Sequence, residues 1–179
     1  MMAVLIIGDD ANSRGCASRL LYATTLSTFS KERMMFINSK TKGNIGESIV
    51  LAEFVKRGIQ VSVPFGDNAR YDLIADFNGK LNKIQVKYCN QHIINGSVTC
   101  PCSSSTNHTT NKHYTTYQND IDYFAFYIVA LNQTVLLPIE VIGNRKSICI
   151  RIDEPKNNQN EKITYASDYS IDKVIATSS

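Results

Sequence analysis

The sequence has no stretch long and apolar enough to cross a membrane, since none of its hydrophobic runs approaches the roughly 20 residues that a spanning helix needs. It also has only 9 glycines and 4 prolines, too few for a linker array or a fibrous repeat. The short apolar run at residues 3–7 follows no basic residue and leads into Asp9 and Asp10, unlike a secretory signal. These absences favour a soluble, cytoplasmic protein.

Neither cysteine content nor net charge identifies a partner. The five cysteines are odd in number and irregularly spaced, so we expect reduced thiols and no disulfide framework. The formal charge of +3 is too small by itself to imply a nucleic-acid partner. The basic surplus is local, however, because residues 31–87 carry ten Lys and Arg against six Asp and Glu.

The length of 179 residues suits one domain with a single core. Hydrophobic residues make up 43% and charged residues 20%, as in a globular protein. Residues 1–36 show no sustained period, and we expect an N-terminal extension of unknown role before a single domain over residues 37–179. The pair Met34-Met35 adds the hypothesis that translation starts near Met34.

The first clear element is a helix. Asn44 and Glu47 resemble a capping box, and Gly58 ends the apolar period that follows, which predicts a helix over residues 44–57. Its apolar positions at helical spacing are Ile45, Ile49, Ala52 and Val55.

Three strands are predicted next, over residues 59–64, 71–77 and 83–88, the last two joined through Asn78-Gly79, a strong hairpin signal. Alternation places an apolar set on one hairpin face: Leu73, Ala75, Phe77, Ile84, Val86 and Tyr88. The other face carries Asp72, Ile74, Asp76, Lys83, Gln85 and Lys87. Polar groups should therefore converge on one side of a hairpin whose other side is core.

Residues 89–118 are rich in Ser, Thr and Asn, and we expect an inserted polar loop there. Strands are predicted again over residues 123–131, 135–141 and 147–152, followed by a polar loop over 153–161 and a short helix over 170–175. This order indicates a mixed α/β sandwich and not a doubly wound fold.

Some of these residues stand in the order of a known catalytic pattern. Glu47 on the helix, Asp72 on the first hairpin strand and Gln85-Val86-Lys87 on the second resemble the PD-(D/E)XK nucleases. More narrowly, the pattern is similar to the group I intron homing endonucleases of that superfamily, in which Gln replaces the last acid. The chain departs from the usual pattern in two ways: Pro64 lies eight residues before Asp72, and Gln85 removes one negative charge.

The resemblance implies a restriction-endonuclease-like α/β fold, a mixed β-sheet core flanked by helices. It implies hydrolysis of phosphodiester bonds in double-stranded DNA with Mg²⁺, or Mn²⁺ as a substitute. Asp72 and Glu47 would hold the cation with the Val86 carbonyl, Gln85 would offer a neutral amide oxygen, and Lys87 would orient the attacking water. One chain offers one active site, so a double-strand break implies a homodimer, or a homotetramer as the resemblance suggests.

Other basic and polar residues are candidates for DNA contact. They are Lys40, Lys42 and Asn44 near the helix start, Lys83 on the hairpin, and Lys112, His113, Tyr114 and Tyr117 in the polar segment. Tyr114 and Tyr117 have an alternative role, packing against the core.

Three alternatives remain open. Cys100, Cys102, His108 and His113 are zinc-ligand types, although the Cys-x-Cys spacing is tighter than usual. A structure-selective nuclease of the Holliday-junction resolvase type would share the metal chemistry. A DNA-binding module that has lost cleavage would suit the substitution at Gln85.

Overall fold

The computed structural model describes residues 37–66, 68–108, 111–153 and 163–178, without the side chains of residues 105–108 and 111–115. Contacts divide the chain into two units, Met1–Asn38 and Ser39–Ser179, and nearly all described residues belong to the second. The predicted extension over residues 1–36 lies outside the described part, as does most of the predicted loop over 153–161. No helix in the described part is long and apolar enough to span a membrane.

Helix α1 covers Ser39–Lys56 and begins five residues before the predicted start. Asn44 therefore lies inside the helix, where its carbonyl accepts a hydrogen bond from Ser48 Oγ at 2.8 Å. The predicted capping box is wrong for this reason. The predicted end is confirmed: Gly58 follows the helix with a φ of +74°, and its N–H donates to the Val55 carbonyl at 3.0 Å.

The buried face of α1 differs from the predicted one. Gly46, Val50 and Phe54 are buried, whereas Val55 is 59% exposed. The sequence offers two apolar stripes on this helix, and the structure buries the one that contains Gly46. A Cβ on Gly46 would lie 3.4 Å from the Tyr88 Cβ, so a small residue at this position lets the helix lie close to its neighbouring strand.

In chain order, the described strands are β1 Val61–Ser62, β2 Leu73–Phe77, β3 Lys80–Cys89, β4 Ser97–Pro101, β5 Ser104–His108, β6 Asn111–Thr115, β7 Tyr123–Ile128, β8 Gln133–Pro138, β9 Ser147–Arg151 and β10 Thr164–Tyr165. A 3₁₀ turn, Val129–Leu131, separates β7 from β8, and a short helix α2, Ile139–Ile142, follows β8. A second 3₁₀ turn, Ala166–Tyr169, leads into helix α3, Ile171–Thr177.

The main sheet has the strand order β1-β2-β3-β7-β8. Its β3–β7 pair is parallel and its other pairs are antiparallel. A second sheet has the order β10-β9-β4, and β5 pairs with β6. The mixed sheet with flanking helices confirms the predicted fold class.

The Asn78-Gly79 turn is confirmed. Both residues have positive φ, +55° and +87°, and Phe77 pairs directly with Lys80 across the two-residue turn. The two edge strands of the main sheet differ from their predicted bounds. β1 covers only Val61–Ser62, and β8 covers Gln133–Pro138 and ends where α2 begins.

Both faces of the main sheet are buried. One face packs on α1 and α3 through Val50, Phe54, Leu73, Ala75, Phe77, Ile84, Val86, Ile171 and Val174. The other contributes Phe124, Phe126 and Ile128 to a core shared with Val98, Cys100, Ile148 and Ile150 of the second sheet. The prediction that one side of the hairpin is core is confirmed. On its polar side, Gln85 is buried whereas Lys83 is exposed.

The predicted loop over residues 89–118 is also wrong, since β4, β5 and β6 lie within it. Val98, Cys100 and Cys102 alternate toward the core and are at most 1% exposed. Thr99 and Pro101, which lie between them, are exposed. The many small polar residues of the segment therefore concealed an alternating strand, and the sequence resembled a loop.

The close approach at Gly46 predicts a steep dependence on side-chain size. Gly46→Leu should lower the free energy of unfolding by about 1–3 kcal/mol, because the added atoms would meet Val86 and Tyr88. Gly46→Ala is the matched control, and it should stay within about 1 kcal/mol of the parent since one methyl at 3.4 Å is an ordinary contact. Urea denaturation measures both, and equal stability of the leucine variant and the parent would contradict this packing.

Candidate active site

The hairpin register brings Asp72 and Gln85 together. Leu73 pairs with Ile84, and the Asp72 N–H donates to the Ile84 carbonyl at 2.9 Å, which extends the ladder by one residue. Asp72 therefore lies beside Gln85 on the same face of the hairpin, as the alternation predicted.

The Asp72 carboxylate is held by the strand opposite. Its Oδ2 accepts a hydrogen bond from the Val86 N–H at 2.7 Å and another from Gln85 Nε2. The same Gln85 nitrogen donates to the Val86 carbonyl at 3.3 Å. A hydrogen-bond donor thus lies between the two oxygens that were predicted to bind a cation.

The orientation of Gln85 bears on its predicted role. Its amide nitrogen, and not its oxygen, faces Asp72 in this structure. A ligand role for the oxygen requires the amide to turn over when a cation binds, because a cation attracts the oxygen and repels the NH₂ group.

Glu47 lies on α1 one residue after the close contact at Gly46. Burial raises the pKa of Glu47, and the negative charge of Asp72 raises it further. Burial also raises the pKa of Asp72, against the hydrogen bond from Val86, the Lys87 charge and the hydrogen bond from Gln85, all of which lower it. The two carboxylates are therefore close enough to repel each other in a partly dehydrated setting.

These groups fit a hard divalent cation. Carboxylate and carbonyl oxygens are the ligands such ions prefer, and a positive charge would relieve the repulsion between the two acids. Within the described residues, no group of three or more His, Cys, Asp and Glu side chains could hold a metal ion. A cation here would rely on two carboxylates, the Val86 carbonyl and water, which is typical of Mg²⁺.

Both acids line a cleft of about 450 Å³ between the first turns of α1 and the segment after β1. Lys40 and Asn44, two of the predicted DNA contacts, line the same cleft. Lys42 is half-buried on the same helix. The cleft therefore holds both acids together with Lys40 and Asn44 from the start of α1.

The other predicted DNA contacts are not all at this cleft. Lys83 is exposed and lines a separate cleft of about 340 Å³ together with Asp120, Asp122 and Glu140. Lys112, His113 and Tyr114 belong to β6, and their side chains lie outside the described atoms.

Tyr117 does not fit the prediction of a DNA contact, because it is only 5% exposed. Its ring packs edge-on against Phe124 with the centroids 5.3 Å apart, so the alternative of core packing holds. Its hydroxyl accepts a hydrogen bond from Lys87 Nζ at 3.3 Å.

Cys100 and Cys102 are also part of this core. A hydrogen bond with Cys89 and burial raise the pKa of Cys100, and burial with the neighbouring Cys100 raises the pKa of Cys102 to about 12. Zinc binds the thiolate, so this environment disfavours the zinc alternative. The side chains of His108 and His113 lie outside the description.

Arg70 is a residue of the site region that the sequence pattern did not reveal. Its guanidinium lies 4.3 Å from the Tyr117 ring centroid, and its Nε pairs with Asp120 at 3.1 Å. Its position two residues before Asp72 was only a weak indication that Arg70 lies near the site. No periodicity in the sequence predicts its contact with Tyr117.

A mixed sheet that brings a helix acid, a strand acid and a strand lysine together has the architecture of a phosphodiester-cleaving nuclease. The chain belongs to the PD-(D/E)XK endonuclease family, a model of which matches residues 37–172. The predicted family is thereby confirmed, and the chain is a nuclease with DNA as its substrate. Nucleases of this family generally use divalent metals.

A solved structure supports the same conclusion. The fold is similar to that of a bacterial homing endonuclease, I-Ssp6803I, with a TM-score of 0.62 and 25% sequence identity. The similarity covers 70% of this chain and 86% of that one. None of the curated proteins matches the chain.

The raised pKa of Asp72 predicts that its charge costs stability in the metal-free protein. Asp72→Asn should therefore melt at the same temperature as the parent or a few degrees higher without divalent cations, since burial of a neutral amide costs less. Differential scanning calorimetry in a chelator tests this. A melting temperature several degrees below the parent would show that the Asp72 hydrogen bonds outweigh the cost of its burial.

Proposed function

We propose that this endonuclease cuts double-stranded DNA at a specific site, in the manner of an intron-homing enzyme, with Mg²⁺ or Mn²⁺ as cofactor. The observation that carries the proposal is the pairing of Glu47 and Asp72 at one cleft, with Lys87 near Asp72. The intron-homing assignment is supported by the similarity to I-Ssp6803I and by Gln85 in place of the last acid.

Asp72, Glu47 and the Val86 carbonyl would hold the cation. When bound, the cation would neutralise the scissile phosphate and lower the pKa of the attacking water. The chain itself supplies a rigid frame, because the Val86 N–H fixes Asp72 Oδ2 from the neighbouring strand at 2.7 Å. Without a cation, the side-chain NH₂ group of Gln85 donates to both Asp72 Oδ2 and the Val86 carbonyl oxygen.

Lys87 supplies a cationic group beside Asp72. Its ammonium is near enough to lower the pKa of Asp72, and it can donate to a water or a phosphate oxygen next to that carboxylate. A positive charge there stabilises the additional negative charge that develops on the phosphate in the transition state.

The start of α1 supplies the best-placed DNA contacts. Lys40 is exposed, and both Lys40 and Asn44 line the cleft with the acids. A phosphate near this end of an 18-residue helix also meets the positive end of its dipole. We retain Lys42, Lys83, Lys112, His113 and Tyr114 as further candidates for backbone contact.

Self-association follows from the chemistry of a double-strand break. One chain carries one pair of acids, whereas a duplex has two scissile phosphates. We therefore propose a homodimer or a homotetramer that presents two active sites to one DNA.

Cleavage of a randomised duplex library in Mg²⁺ tests the proposed function. The parent should cut a narrow set of sequences, and Asp72→Asn and Lys87→Ala should each cut at least about 100-fold more slowly, because each loses a charge used in the transition state. Lys80→Ala is the matched control, as Lys80 lies exposed on the same strand at the hairpin turn.

The outcomes are distinct. Equal cleavage by the parent, Asp72→Asn and Lys87→Ala would contradict the catalytic assignment. Cleavage of four-way junctions of arbitrary sequence would replace the homing assignment with a resolvase activity. Sequence-specific binding without cleavage in Mg²⁺ or Mn²⁺ would indicate a binding module.

The oligomer has its own test. Sedimentation equilibrium in Ca²⁺ of the full chain bound to an intact duplex that contains its cleavage site should give two or four chains per DNA. Two scissile phosphates require two active sites. A complex of one chain per duplex that still makes double-strand breaks would contradict the proposal.

A further inference from the structure

We propose that Tyr117 is a positioning residue that holds the Lys87 ammonium beside the Asp72 carboxylate but not on it. This inference rests on the proposed function, since it assigns a role relative to Lys87 and Asp72. It concerns a residue that the sequence pattern assigned to DNA contact or to core packing, and it gives a reason for a tyrosine at this place.

The contacts of Lys87 point to this role. Its Nζ donates to the Tyr117 hydroxyl at 3.3 Å and lies 5.0 Å from the centroid of the same ring. Both the hydroxyl oxygen and the electron-rich ring attract an ammonium group. A lysine side chain has four rotatable bonds, so such an anchor removes most of its freedom.

What Lys87 does not do is equally informative. Within the described residues, the ion pairs closer than 4.0 Å are Arg57–Asp172, Arg70–Asp120 and Lys173–Asp168. The Lys87 ammonium thus forms no such pair with Asp72, although its charge acts on that carboxylate. A direct pair would place an ammonium where the cation is proposed to bind, and the anchor on Tyr117 prevents it.

Tyr117 is itself firmly held. Its ring is 5% exposed and packs edge-on against Phe124. The Arg70 guanidinium lies 4.3 Å from the ring centroid, and three further contacts fix it: Asp120 Oδ2 at 3.1 Å, the Thr116 carbonyl at 2.8 Å and Ser104 Oγ at 3.3 Å. The anchor for Lys87 is therefore part of a network in which Arg70 connects Tyr117 to Ser104, Thr116 and Asp120.

Asp120 also limits the electrostatic cost of this arrangement. Arg70 and Lys87 are like charges that contact one ring, and they would repel each other. The Asp120 carboxylate offsets the Arg70 charge through their ion pair, so that the ring can accept a second cation.

Tyr117→Phe tests the hydroxyl alone, since it keeps the ring and its contacts with Phe124 and Arg70. Tyr127→Phe is the matched control: Tyr127 lies on β7 and is 7% exposed, and its hydroxyl donates to Asn132 Oδ1 at 2.8 Å. On a duplex selected by parental cleavage, Tyr117→Phe should lower kcat about 10-fold to 100-fold with KM within about twofold. Tyr127→Phe should leave kcat unchanged.

Binding of Mn²⁺ in the absence of DNA gives a readout that does not depend on activity. In Tyr117→Phe the released Lys87 should pair with Asp72 and raise the Kd for Mn²⁺ roughly tenfold. The double variant Tyr117→Phe/Lys87→Met should restore parental binding, because it has no ammonium to compete. If Tyr117→Phe weakened Mn²⁺ binding only by disturbing the fold, the added Lys87→Met substitution would not restore it.

The results separate this inference from the function on which it rests. Parental kcat and parental Mn²⁺ binding in Tyr117→Phe, with Asp72→Asn inactive, would overturn the positioning role alone. Weaker Mn²⁺ binding that Lys87→Met does not restore would overturn it as well. Failure of the parent to bind Mn²⁺ or to cut DNA would overturn the proposed function and, with it, this role.

Discussion

The register of the β2–β3 hairpin is the constraint on which the site depends. The Asn78-Gly79 turn pairs Phe77 with Lys80, and this pairing sets Leu73 against Ile84 and hence Asp72 beside Gln85. A slip of one residue would turn Asp72 toward the helix-covered core and would remove the Val86 N–H from its carboxylate. Each strand residue advances about 3.3 Å, so the turn lies more than ten ångströms from Asp72. It nevertheless determines where the Asp72 carboxylate lies.

The second requirement is the close approach of α1 to this hairpin. Gly46 lets the helix lie against Val86 and Tyr88, and Glu47 is the next residue along the chain. The approach has an electrostatic cost, because Glu47 and Asp72 are partly dehydrated and each has a raised pKa. Such a cost is common at catalytic sites, where groups are positioned for reaction at the expense of stability, and a divalent cation would offset it.

Local signals in the sequence were sufficient for the hairpin and the catalytic pattern. A two-residue turn and strict alternation act between neighbours, so the faces of Asp72, Gln85 and Lys87 could be predicted, as could the fold class that the resemblance implied. The buried stripe of α1 could not be predicted, because the helix has two apolar stripes and only the tertiary contact at Gly46 shows which one is buried. The burial of Tyr117 was one of two alternatives that the sequence left open. The strand at Ser97–Pro101 was missed for a related reason: it depends on a second sheet whose partner strand, Ser147–Arg151, is distant in the chain. The orientation of the Gln85 amide likewise depends on contacts that no sequence period records.

The central claim is that Asp72 and Glu47 together bind the divalent cation used for cleavage. Calorimetric titration of the metal-free chain with Mn²⁺ tests it most directly, with Asp72→Asn and Glu47→Gln measured beside the parent and Asp168→Asn, an exposed acid on another part of the chain, as the control. We predict one tightly bound Mn²⁺ per parent chain, the same for Asp168→Asn, and binding weakened at least about tenfold in each of the two site variants. Unchanged Mn²⁺ affinity in Asp72→Asn and Glu47→Gln would contradict the claim.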